Sequence, residues 1–151
     1  MSLRVRTALL AALVVAGSRV SSQAPDNAVT YSEDQAARGA QVFSKVCVEC
    51  HTRKDMANAD FRVKWNGRPV FDLFERIRST MPESNPGGLP RGQYLDVTTY
   101  LAKINGIPAG TIDLPDDDTR LRKQLLALPP QTTHDVRHDH RPVQGEIVVM
   151  R

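Results

Sequence analysis

The chain has 151 residues with 20 Lys and Arg against 17 Asp and Glu, a formal net charge of +3, and two cysteines. That length allows one modest domain plus extensions. The basic residues are scattered rather than clustered, which argues against a nucleic-acid partner, and two cysteines leave room for no disulfide framework.

Residues 1–24 have the pattern of a secretory signal. Arg4 and Arg6 form a basic start, Thr7 to Ala16 is an uninterrupted apolar run, and Ser22-Gln23-Ala24 is a small-x-small cleavage site, with Ser18 as the alternative. The run is shorter than the ~20 residues a bilayer span needs. The mature protein is therefore expected to carry no membrane span and to reside in the periplasm.

After a polar lead-in at 25–30, Ser32 with Gln35 three positions on makes a capping box, and Glu33 and Asp34 suit the first turn of a helix. Ala36, Gly39, Ala40, Phe43 and Val46 mark its buried face. Gly39 inside a helix predicts close approach of another helix, with Tyr100 as its partner.

The helix runs into Cys47-Val48-Glu49-Cys50-His51, a C-x-x-C-H attachment site for c-type haem. Two thiols three positions apart can reach the two vinyl groups of a porphyrin and form thioethers. The adjacent His51 then supplies an axial imidazole. A dithiol redox pair would not need His51, and a structural zinc site would need ligands this chain lacks. Attachment of haem outside the cytoplasm agrees with an exported chain.

Thr52 to Gly67 shows weak periodicity and is predicted to be a loop around one haem edge. A second helix follows Pro69, with Phe71, Phe74, Ile77 and Val70 turned inward and Asp72, Glu75, Arg76 and Arg78 on a solvated face. It leaves through Met81-Pro82, and the Gly87-Gly88 pair with two prolines makes 83–90 irregular. A third helix spans about Arg91 to Ile104, with Tyr94, Val97, Leu101 and Ile104 in one stripe. Asn105-Gly106 supplies a left-handed stop. Three helices without strand signal predict an all-α domain over 31–110.

Residues 111–151 are predicted to be a polar, flexible tail with one possible short helix ending before Pro129. Its His134, His138 and His140 are read as solvated, and Ile147 to Met150 as a segment that could dock as a strand.

The sixth iron ligand separates electron carriage from ligand binding. Met56 lies five residues after His51, so its chain of at most ~17 Å would pass the porphyrin edge nearly taut. Met150 sits in the tail. Met81, thirty residues on in a Pro-bordered loop, can cover the opposite face and is the expected thioether ligand. The indole of Trp65 and the guanidinium of Arg68 can both hydrogen-bond haem propionates.

Over 31–110 the chain resembles class I cytochromes c. The resemblance rests on the first helix, the C-x-x-C-H motif, the Met-Pro loop and the last helix with its aromatic. It implies a small all-α fold of three main helices around one covalent haem c. Cys47 and Cys50 match the attachment cysteines, His51 the proximal and Met81 the distal ligand, and Gly39, Phe43 and Tyr100 the helix crossing. Trp65 to Arg68, Asp72 to Pro82 and Tyr100 to Gly110 are similar to the cytochrome c domains found with quinoprotein dehydrogenases. That likeness implies a free-standing carrier, or a subunit serving a separate enzyme, rather than an enzyme in itself. It would take single electrons from a quinoprotein-type dehydrogenase and pass them to a cytochrome or oxidase acceptor, with Lys45, Arg53, Lys54 and Lys64 able to steer an acidic partner. The alternative is a gas sensor or peroxidase-like protein with an open sixth position.

Overall fold

The computed structural model describes residues 27–130. The signal segment, the histidines of the tail and the closing apolar run lie outside the described residues. Helices dominate: α1 (Glu33–Val42), continued by a π-helical stretch (Phe43–Cys47), α2 (Ala59–Trp65), α3 (Val70–Thr80), α4 (Arg91–Ile104) and α5 (Asp118–Lys123). Among the described residues, β pairing is confined to isolated bridges. No described helix is long and apolar enough to cross a membrane.

Helix α1 starts where its cap predicts, with the Ser32 hydroxyl accepting from the Gln35 amide at 3.0 Å. The reciprocal half of the capping box is absent. The Gln35 side chain is buried, and its Oε1 accepts instead from the amide of Leu114 at 2.6 Å. Gly39 then meets α4. A Cβ there would lie 1.9 Å from the Asp96 carbonyl oxygen and 2.9 Å from the Tyr100 Cβ, so only a hydrogen lets the two backbones approach. Phe43 and Tyr100 close the crossing, their ring centroids 5.2 Å apart. At its margins Arg38 bridges Asp96 and Asp113, and Lys103 pairs with Glu33.

Helix α4 packs on both α1 and α3, which is why its burial exceeds the predicted stripe and takes in Leu95, Thr98, Thr99 and Ala102. The buried threonine hydroxyls donate to carbonyls of their own helix, at 2.8 Å to Tyr94 and 2.7 Å to Asp96. Gly106, at φ +88°, ends the helix as expected.

Two expectations need correction. The loop over 52–67 contains α2, capped by the Asn58 side chain accepting from the Phe61 amide at 2.8 Å. Seven residues are too few for a periodic signal to develop. The second concerns the domain's end. Packing does not stop at Gly110, because Leu114, Leu121, Leu126 and Leu128 all belong to the core. The expected short helix is α5, with Asp117 as its cap. The chain that follows it lies between the lead-in and the 66–70 turn. Val29 donates to the Leu125 carbonyl at 3.0 Å and Leu125 to that of Asn27 at 2.7 Å. On the other side Val70 donates to Gln124, Leu126 to Arg68 and Gly67 to Leu126, all at 2.8–2.9 Å. These irregular segments satisfy one another's backbone groups, as buried chain must. Each buried leucine contributes about 1.5–3 kcal/mol of transfer free energy, so this strap supplies core that an 80-residue domain lacks.

Candidate haem site

The C-x-x-C-H motif begins in the π-helical stretch. Val48 donates to the carbonyl of Phe43, five residues back, at 3.1 Å, and His51 and Cys50 both donate to Cys47, at 2.9 and 3.2 Å. The backbone thus folds into a tight turn around Cys47. Such π-turns inside helices gather at functional positions. Beyond it, the Asp55 carboxylate accepts from both the amide and the hydroxyl of Thr52 at 2.8 Å, fixing the chain's exit from His51. Those two bonds, with a smaller contribution from His51, hold the Asp55 carboxyl below its ordinary range. Cys47 is half-buried and Cys50 exposed, and neither is in a disulfide. Burial pushes the Cys47 thiol up.

Both cysteines, His51 and Met81 lie on the wall of one cavity of about 740 Å³, within the ~300–1,000 Å³ typical of cofactor sites. Apolar side chains from four helices complete it, among them Phe61, Leu73, Val97 and Leu101. Met81 stands where α3 ends, its amide bonded to the Ile77 carbonyl at 2.8 Å. Its own carbonyl accepts from the Tyr94 hydroxyl at 2.7 Å, and that hydroxyl accepts from the Leu89 amide at 3.2 Å. A single buried phenol on α4 therefore pins both ends of the 82–89 loop.

Met56 also reaches the cavity wall. Its carbonyl accepts from Asn105 Nδ2 at 2.7 Å, which ties the loop after the motif to the end of α4. Trp65 is buried and lines the cavity. Arg68 does not line it. Its guanidinium sits 5.1 Å from the Trp65 ring centroid and donates to Asp72 at 2.8 Å, on the outer side of the indole. Arg68 stands just before α3, and Asp72 in the first turn of that helix is the carboxylate it pairs with. Two cations that reach the wall, Lys64 and Arg76, were assigned above to partner steering and to a solvated helix face. The helical placement of α2, invisible in the sequence, is what brings the exposed Lys64 to the cavity's margin.

The donor set fits a c-type haem: two thiols for covalent attachment, an imidazole and a thioether for iron, and apolar walls that exclude water. Comparison with known proteins agrees. Residues 34–101 match the family described as cytochrome C oxidase, cbb3-type, subunit III. No curated protein and no solved structure matches the chain. The match supports a class I c-type cytochrome with the small all-α fold of that class, whose cofactor is covalently bound haem c and whose partners are redox proteins.

Proposed function

We propose that the chain is a monohaem electron carrier, exported to the periplasm, with Cys47 and Cys50 as attachment residues and His51 and Met81 as axial ligands. The observation that carries this reading is the convergence of those four side chains on one apolar-walled cavity. Cys47 and Cys50 would hold the haem covalently through thioethers to its vinyl groups, an addition that needs no net oxidant. Bound haem supplies reversible one-electron chemistry at the iron. His51 is carried to the cavity by the turn that carries the cysteines, while Met81 is held at the cavity wall by α3 and Tyr94. His51 and Met81 would both be committed to the iron, which would leave it no site for a substrate and suit the chain to carrying electrons. A thioether ligand favours the reduced iron and raises the potential.

The matching family is an oxidase subunit by description, which supports a place in a respiratory chain. The likeness over 65–68, 72–82 and 100–110 supports a quinoprotein-type dehydrogenase as donor.

The test is production with haem-maturation machinery, followed by acid acetone and by carbon monoxide on the ferrous protein. Colour that resists extraction and resistance to carbon monoxide are expected, with Met81→Ala made reactive and Met56→Ala unchanged. Immediate, complete binding by the unaltered protein would establish an open sixth position and overturn the carrier reading.

A further inference from the structure

Two depressions meet at one corner of the molecule. The haem cavity and a shallower groove of about 450 Å³ share three walls, Lys64, Trp65 and Arg76. These residues therefore stand where the cavity opens to the surface. Of the residues that line the cavity, Lys64 and Arg76 are the lysine and arginine side chains. Neither is in an ion pair among the described residues. Their neighbours are already committed, Arg68 to Asp72 at 2.8 Å and Arg78 to Glu75 at 2.9 Å. Lys64 is exposed, and its Nζ lies 5.3 Å from the centroid of the Trp65 ring, which places the ammonium at this corner.

A haem attached through its vinyl groups carries its two propionates on the margin away from the thioethers. Carboxylates brought against an apolar wall need opposing charge or hydrogen-bond donors, since an unpaired charge loses its hydration without compensation. The acidic side chains on the wall, Glu49, Asp55, Asp60 and Glu83, would repel them. We infer that Lys64 and Arg76 hold the propionate carboxylates at the Trp65 corner, and that Arg68 braces the indole from outside instead. Arg76 brings a planar fork suited to a carboxylate, and Lys64 a mobile point charge. Openness of the corner to water keeps the carboxylates partly solvated, which lowers the penalty further.

This inference rests on the haem reading, and its test separates the two. Lys64→Gln, Arg76→Gln, the double variant and Arg68→Gln are loaded with haem, and acid acetone first shows whether the haem is covalent. Failure there in the unaltered protein removes the haem reading and this assignment with it, whereas covalent haem with the outcomes below decides this assignment alone. The midpoint potential is then followed against pH. In the double variant, equilibrium with a reference redox couple shifts several-fold toward the ferric form, because two positive charges near the iron are gone. A new pH dependence also appears in the neutral range, because the propionates are no longer held ionised. Arg68→Gln leaves the pH profile as it was. A flat profile in the double variant, with or without a general shift, overturns the assignment. So does a profile that moves in Arg68→Gln alone.

Discussion

The Tyr94 hydroxyl donates to the carbonyl of Met81 at 2.7 Å, joining the middle of the core to the proposed sulfur ligand. The same oxygen accepts from Leu89, so one atom closes the 82–89 loop at both ends. Tyr94→Phe keeps the ring and removes both bonds. Because the carbonyl and amide left behind are part-buried, the loss is about 1–3 kcal/mol. Thermal unfolding of the haem-loaded protein should show that loss, and carbon monoxide should bind the ferrous variant faster as Met81 is held less firmly. Unchanged carbon monoxide kinetics would mean that the loop is held without Tyr94.

Two glycines in helices predict opposite outcomes for the same substitution. At Gly39 an added methyl meets the backbone oxygen of Asp96, which cannot rotate away, so Gly39→Ala costs about 1–3 kcal/mol or more through separation of α1 and α4. At Gly92, on α4, nothing lies within 4 Å of the built Cβ. Gly92→Ala should therefore stabilise by up to about 1 kcal/mol from helix propensity alone. Denaturant midpoints of the two variants check both signs.

The strap is a part of the core and not an appendage. Leu121 is 0% and Leu126 1% exposed. Leu121→Ala and Leu126→Ala should each cost about 2–5 kcal/mol, as deletions from a packed interior do. Values near zero in chemical denaturation would show that the segment after Gly110 is dispensable.

Tyr31 gives the protein an alkaline limit. Its hydroxyl donates to the Ile107 carbonyl at 2.5 Å, and burial, with the nearby Glu33 charge, pushes its pKa up to about 12. The unfolded value is about 10. A raised folded pKa means that the folded state holds this proton more tightly, so the contribution is complete below pH ~10 and is lost as pH rises through ~12. Unfolding free energy should therefore fall across that window, by on the order of 2 kcal/mol. Tyr31→Phe should be less stable at neutral pH but show a shallower alkaline decline. An equal decline in both would assign the effect to another group.

Much of the site could be read before the fold was known, and for identifiable reasons. The spacing of Cys47, Cys50 and His51 is local chemistry that needs no tertiary contact. The Ser32 cap, the bounds of α4 and the stop at Gly106 are likewise determined within a few residues of chain. Gly39 was legible because a glycine in mid-helix carries a cost that only a close neighbour offsets, and Asp96 and Tyr100 are that neighbour. Helix α2 was illegible because seven residues carry too short a period.

What no stretch of chain contains is the pairing of distant segments. Whether Gln35 closes its own capping box or holds Leu114, 79 residues away, depends on which partner folding delivers. The leucines of the strap look like one face of a tail helix until the 27–29 and 66–70 segments flank them. Arg68 finds Asp72 four residues along its own chain, but that Arg76 reaches the cavity wall depends on how α3 is seated. Covalent attachment chemistry is specified by neighbours in sequence. Burial, charge pairing and the boundary of the domain are specified by neighbours in space, because desolvation and Coulomb energies depend on distance through the folded molecule.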